Sequence, residues 1–356
     1  MKKLGIYIHW PFCLSKCPYC DFFSEVKTAD EDKIISAYID DLDFYHNITH
    51  DQTAVSIFFG GGTPSLIKPI NIEKLINHIH SKWNTAKDIE ISLEANPNTH
   101  RPNLFSDLKS AGINRLSLGV QALNNKDLKF LGRTHNLAEA LKAIDEVTKT
   151  FDNHSMDLIY ARPNQKSKDW EKELVQAANL GMKHLSLYQL TIEEGTPFYK
   201  MGVENLDEDN ALLLYELTEK ILESKGYNKY EVSNFSQKNF ESKHNLGYWQ
   251  GRDYLGVGQS SHGRIGLTAT HHHRNLEKLT PMERAAELLL MGLRITEGID
   301  KKLFHKQCGI KFHDFVNTRN LIELKQQRLL EETDTHIFAT NKGFPLLNKI
   351  IEELAQ

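Results

Sequence analysis

Apolar residues recur along this chain in two alternating rhythms. Short runs rich in β-branched and aromatic residues predict strands at Leu4 to Trp10, Val55 to Phe59, Ile89 to Glu94, Arg115 to Val120, Met156 to Tyr160 and His184 to Leu190. Between them, apolar positions fall three and four apart over Asp32 to Phe44, Ile72 to Trp83, Asn103 to Ala111, Ala138 to Thr148, Trp170 to Leu180 and Asp209 to Ser224, which predicts helices with one buried face. Asn103 and Asn136 stand where N-caps belong, and Gly112, Gly181 and Gly226 where helices stop. The result is six β/α units and an α/β fold with a parallel sheet. Periodicity leaves two architectures open, a partial barrel and an open doubly wound sheet.

Beyond residue 226 the alternation stops. Residues 227–281, rich in Gly, Asn, His and aromatics, read as an irregular, site-forming extension. A helical segment from Met282 to Arg294 then leads into a small, mainly helical module, 282–356. Its turn at Thr296-Glu297-Gly298, its hairpin between Leu329 and Ala339 and its closing helix from Leu346 resemble a winged helix. The expected division is therefore 1–226, 227–281 and 282–356.

Composition narrows the function classes. With 356 residues, 40% hydrophobic, 25% charged and a net charge of −4, the chain gives no global pull toward nucleic acid or anionic lipid. The N-terminal apolar stretch is too short and interrupted for a signal peptide or a membrane span, so the expected location is cytoplasmic. The tract His271-His272-His273 reads as a solvated loop.

Three of the four cysteines, Cys13, Cys17 and Cys20, lie within eight positions. A disulfide would consume two and strand the third. Structural zinc wants four closed ligands, and the only other soft ligand nearby is His9. The three thiolates fit better as ligands to three irons of a 4Fe–4S cluster whose fourth iron stays open. A three-Cys-plus-His zinc site and three unrelated buried thiols remain alternatives. The run Gly60-Gly61-Gly62-Thr63 follows the second strand and suits close backbone approach to a ligand, without the spacing of a phosphate loop. Cys13, Gly60 to Thr63, Glu94, Gln121, Asp157 and Tyr188 all fall in or just after the six strands, where β/α folds gather their sites.

Cys13, Cys17 and Cys20 with Tyr19 form a CxxxCxxC string that resembles radical S-adenosylmethionine (SAM) enzymes, and Tyr7-Ile8-His9-Trp10-Pro11-Phe12-Cys13 resembles their oxygen-independent coproporphyrinogen oxidase group. The resemblance selects the partial (β/α)6 TIM-like barrel. It implies a cluster whose open iron is chelated by SAM, and one-electron cleavage of SAM to methionine and a 5′-deoxyadenosyl radical. By the same resemblance Gly61, Gly62 and Thr63 bind the SAM amino group, Arg133 pairs with its carboxylate, Glu94, Gln121 and Asp157 lie near the amino group and ribose, and Tyr7 and Tyr188 line the adenosyl pocket.

Lys243-His244-Asn245-Leu246-Gly247-Tyr248-Trp249 resembles the HNxxYW motif of HemW-type haem chaperones, which makes His244 the candidate haem ligand. Coproporphyrinogen oxidases carry a further cysteine where this chain has Phe22, and an N-terminal extension, whereas twelve residues precede Cys13 here. The expectation is a haem chaperone that delivers haem to acceptor proteins such as respiratory haem proteins, served by an electron donor, with a homodimer left open. The alternatives are a coproporphyrinogen III oxidase and a related radical SAM methyltransferase. Two stretches depart from the group's pattern. Ala161, Arg162 and Asn164 stand where Gly-Leu-Pro-Gly is usual after Tyr160, and Gln259-Ser260 stand where Gly-Ala is usual.

Overall fold

In the computed structural model, which describes residues 2–99, 102–271 and 274–355, six parallel strands are neighbours in chain order. They are β1 (Lys3–Trp10), β2 (Thr53–Gly61), β3 (Asn84–Ala95), β4 (Arg115–Gln121), β5 (Asn153–Tyr160) and β6 (His184–Gln189). A doubly wound sheet reverses its strand order at a switch point. This order has no reversal, so the strands form a barrel wall. The crossovers carry α1 (Glu31–Thr49), α2 (Pro69–Lys82), α3 (Leu104–Ser110), α4 (Asn125–Phe130), α5 (Leu137–Thr150) and α6 (Ser167–Ala178), followed by α7 (Pro197–Lys200) and α8 (Glu208–Ser224).

Apolar and other positions alternate along β1, β4 and β6 and the second half of β3. Leu4, Ile6 and Ile8 of β1, Ile91 and Leu93 of β3, Leu116 and Leu118 of β4, and Leu185 and Leu187 of β6 are buried in one apolar cluster with the helices. Polar residues at intervening positions line the lumen: Glu94 on β3, Arg115 and Ser117 on β4, Ser155 and Asp157 on β5, His184, Ser186 and Tyr188 on β6. A barrel filled only for stability would be apolar inside. This one keeps a polar chamber.

Asn136 caps α5 as expected, in a capping box with Glu139. Asn103 does not cap α3 with its side chain. It sits in the left-handed region at φ 66 rather than in the extended conformation in which a cap residue's side chain reaches the helix end. Gly112, Gly181 and Gly226 do take positive φ after their helices.

Residues 227–281 are less irregular than expected. They form β7 (Asn228–Lys229), β8 (Asn234–Ser236), α9 (Lys243–Trp249), β9 (Asp253–Val257), β10 (Gly263–Ile265), β11 (Thr268–His271) and β12 (Asn275–Lys278). β9 pairs parallel with β1 and β8 antiparallel with β6, extending the sheet to twelve strands. Strands this short carry too few alternations to register as a pattern. His271 belongs to β11 and pairs with Glu277, not to a solvated loop, while His272 and His273 lie outside the described residues.

The last module comprises α10 (Pro281–Gly292), β13 (Ile299–Asp300), α11 (Lys301–Cys308), α12 (Phe312–Phe315), α13 (Thr318–Gln326), β14 (Leu330–Glu332), β15 (His336–Ala339) and α14 (Leu347–Leu354). Its antiparallel sheet has the order β13-β15-β14, as in a winged helix, and it has its own apolar cluster running from Ala285 to Leu354. Cys308 is buried there, away from the other three cysteines. Among the described residues no helix is long and apolar enough to cross a membrane.

Candidate functional site

At the rim, the loop after β1 is pinned at its neck. Cys13 N–H donates to Glu25 O (3.0 Å) and Glu25 N–H to Pro11 O (2.7 Å). The loop then curls so that Cys20 N–H reaches Cys17 O (3.1 Å). Cys13, Cys17 and Cys20 are free, half-buried thiols lining one cavity of about 370 Å³. The zinc alternative fits poorly. His9 has both ring nitrogens engaged, Nδ1 accepting from the Tyr7 hydroxyl (3.0 Å) and Nε2–H donating to Phe23 O (3.0 Å). Among the described residues no three His, Cys, Asp or Glu side chains converge to hold a single ion. A cluster spreads its thiolates over three irons, which suits this wider spacing.

Gly61, Gly62, Thr63, Glu94, Gln121, Arg133, Asp157 and Tyr188 line the same cavity. Gly61 has φ +108, and a Cβ on Gly62 would meet Phe12 O at 2.7 Å and Cys13 Sγ at 3.0 Å, so only glycine fits between loop and strand. Thr63 Oγ1 lies 3.5 Å from Cys13 Sγ. The Arg133 guanidinium donates to Cys17 Sγ (3.3 Å) and Gly119 O (2.9 Å). Asn96, which the sequence reading missed, accepts from Arg133 and donates to Thr63 Oγ1 (3.2 Å). Its only sequence signal is its place just beyond β3. Gln121 sits at φ 73, a left-handed conformation that costs a non-glycine residue about 1–3 kcal/mol and is stored at functional sites. Tyr7 lines a second cavity deeper in the barrel, which Tyr188 lines as well.

Two carboxylates face the rim cavity. Burial, then the neighbouring Asp157 charge, pushes Glu94 up to about 8, although Gly61 N–H donates to it. Burial also raises Asp157, opposed by hydroxyl hydrogen bonds from Ser186 and Ser117. The rim thus offers one guanidinium and two poised acids, a set complementary to a ligand bearing both carboxylate and ammonium groups.

The deeper cavity, about 650 Å³, shares Glu94, Asp157 and Tyr188 with the rim cavity. Phe22 lines both and is 66% exposed at their mouth. Its floor is α9, lying across the end of the barrel where β1 to β3 begin. Glu90, 4% exposed, anchors that helix by accepting from Ser242 Oγ (3.3 Å) and from the backbone N–H groups of Lys243 (3.1 Å) and His244 (3.2 Å). A carboxylate at a helix N-terminus satisfies donors that have no partner within the helix. His244 therefore enters the lumen in a fixed direction. Its Nδ1 lies 2.9 Å from Ser56 Oγ, its ring stacks on Phe58 (5.2 Å) and leans toward Tyr7 (6.4 Å). Nε2 has no hydrogen-bond partner among the described residues, and burial lowers the imidazole pKa to about 4. A neutral imidazole with one free nitrogen beside flat aromatic rings is a donor set that fits an iron porphyrin.

The departures from the group's pattern fall at left-handed backbone positions and at one buried ion-paired arginine. Ala161 (φ 55), Asn164 (φ 62) and Ser260 (φ 62) adopt positive φ. Arg162 is buried and paired with Glu173 and Asp127.

Residues 7–176 match the radical SAM superfamily and residues 279–346 the HemN C-terminal domain. The chain is 34% identical to the heme chaperone HemW of Buchnera aphidicola subsp. Acyrthosiphon pisum, covering 99% of this chain and 98% of that protein. It is 32% identical to the heme chaperone HemW of Escherichia coli K12, covering 99% and 98%. It is also 32% identical to the mitochondrial radical S-adenosyl methionine domain-containing protein 1 of Danio rerio, covering 98% and 86%. Among solved structures, coproporphyrinogen III oxidase (HemN) of Escherichia coli superposes with a TM-score of 0.83 at 20% identity, over 99% of this chain and 89% of that one. That likeness carries the fold alone.

Proposed function

The chain belongs to the radical SAM superfamily and, within it, to the family of its HemW relatives, and on that premise we propose that it is a haem chaperone. In this reading it holds a SAM-liganded 4Fe–4S cluster at the barrel rim, binds haem below it and hands the haem to acceptor proteins. The observation that carries the reading is the neutral, directionally fixed imidazole of His244 in a cavity of about 650 Å³. Pockets of roughly 300–1,000 Å³ suit ligands of this size class.

Cys13, Cys17 and Cys20 would hold the cluster, and Arg133, Glu94, Asp157, Gln121 and the Gly61 to Thr63 backbone would hold SAM. When bound, that pair supplies one-electron reduction of a sulfonium. The chain's own work is positioning. Glu90 fixes α9, and Ser56 Oγ, 2.9 Å from His244 Nδ1, can accept its N–H, which would leave the Nε2 lone pair for a ligand in the lumen. Because His244 is already neutral near pH 7, iron ligation releases no proton from it. A reducing, cytoplasmic setting would keep the three thiols available.

The test is transfer. Haem-loaded protein mixed with an apo-haem protein should give up its haem, and His244→Ala should have none to give. Conversion of coproporphyrinogen III to protoporphyrinogen IX, under anaerobic conditions with SAM and reductant, would contradict the reading and favour the oxidase.

A further inference from the structure

Arg115 opens β4 and is 2% exposed, yet it lines the deeper cavity. Its strand register places it beside Ser92 on β3 and Asn153 on β5, on the lumen side of the wall. One guanidinium nitrogen, Nη1, donates to Asn153 Oδ1 (2.5 Å) and to Phe240 O (3.3 Å), both neutral acceptors. Among the described residues Nη2 and Nε make no hydrogen bond and no carboxylate lies within ion-pair distance, although Asp157, which lines the same cavity, acts on the guanidinium electrostatically from further away. The two other fully buried arginines among the described residues are paired with carboxylates, Arg162 with Glu173 and Asp127 and Arg284 of α10 with Glu287.

A guanidinium shut away from water without a carboxylate in contact is costly, because a charge at a distance repays its desolvation only in part. Such a group persists where an anion is meant to arrive. The fork of a guanidinium suits a carboxylate in two-point contact. On the same wall Ser155 donates to Ser117 (2.8 Å) and Ser117 to Asp157 (3.1 Å), so those hydroxyl protons are engaged and the guanidinium is the donor left for an acidic guest. Tyr230, hydrogen-bonded to His184 (2.8 Å) and accepting from Asn245 (3.2 Å), links this wall to α9. The chamber therefore shows a guest two unlike groups, an imidazole that suits a metal and a guanidinium that suits a carboxylate. A metalloporphyrin with carboxylate side chains carries both.

We propose that Arg115 is the anion-binding residue of the lumen and takes a propionate carboxylate of the haem whose iron His244 ligates. The assignment rests on the haem reading above and extends it to the porphyrin periphery. The SAM methionine carboxylate is the other chemically equivalent source, and the experiment separates the two.

Ferric haem and its dimethyl ester, which lacks free carboxylates, are titrated into the anaerobically reconstituted protein, as wild type, Arg115→Gln and Arg115→Lys. Wild type should bind the diacid about 10- to 100-fold more tightly than the diester, the range expected for a charge-assisted contact. Arg115→Gln should bind the two alike while keeping the Soret position of an imidazole-ligated haem, and Arg115→Lys should recover part of the preference. SAM affinity should be the same in all three proteins. A wild type indifferent to esterification, or a loss of SAM affinity with the haem preference intact in Arg115→Gln, overturns the assignment alone. Failure of the wild type to bind haem at all overturns the haem reading and this assignment with it.

Discussion

At the rim of the barrel, ligand-facing groups come from strand ends and the loops that follow them. At the floor they come from mid-strand positions and from α9, so that Glu90 and Ser242, 152 residues apart, meet. The rim is crowded with compensating contacts: Arg133 touches Cys17, Asn96 and the Gly119 carbonyl, and the two acids face it across one cavity. The floor is sparer, with an imidazole and a guanidinium each left with free nitrogens. A rim like this serves the cofactor chemistry shared by a whole superfamily. The floor holds none of the three clustered cysteines.

If the two halves are separable, Cys13→Ala should lose essentially all cluster iron and sulfide while haem affinity stays within a few-fold of wild type. Joint loss of cluster and haem would break the comparison. Glu90→Ala makes the opposite cut. Removing a carboxylate that accepts three hydrogen bonds should cost about 1.5–3 kcal/mol in urea denaturation, lower haem affinity more than tenfold, and leave SAM binding unmoved.

Titration separates the halves more gently. Glu94 at the rim is raised to about 8. Between its unfolded value near 4.5 and 8 the folded chain keeps a proton that the unfolded chain has lost. Stability attributable to this group is therefore full below pH 4.5 and falls as pH rises through 8. Thermal unfolding from pH 5 to 8.5 should show that decline, and Glu94→Gln should flatten it. His244 at the floor is lowered to about 4, so haem affinity should be flat from pH 8 to about 5 and fall only as pH approaches 4. A haem-binding midpoint near pH 6.5 would mean a solvated imidazole. The smallest expected effect concerns the scaffold. Ala161→Gly relieves a left-handed alanine at the end of β5 and should add about 1 kcal/mol of stability without altering either ligand.

The same contrast explains what the sequence made visible. Cys13, Cys17, Cys20 and Gly60 to Thr63 are local motifs whose spacing carries their chemistry, and Glu94, Gln121 and Asp157 mark strand ends, so the rim could be read without a structure. The six β/α units were legible because their strands alternate over enough positions to set a period. Glu90 and Arg115 fall inside or at the start of those same runs, where one polar residue among many alternating ones signals nothing by itself. Their partners come from distant segments, and only the closed wall brings them together. The short strands of 227–281 lacked the length to show a rhythm, and Asn103 resembled a cap because composition does not reveal φ. Tyr7, expected by resemblance to line the adenosyl pocket, lies in β1 and lines the deeper cavity beside His244.

The most direct test is a haem titration of anaerobically reconstituted wild type and His244→Ala, with iron and sulfide measured on the same samples. The account predicts stoichiometric haem with an imidazole-type Soret band in wild type, loss of that band and of tight binding in the variant, and equal cluster content in both. Unchanged haem affinity in His244→Ala would contradict it.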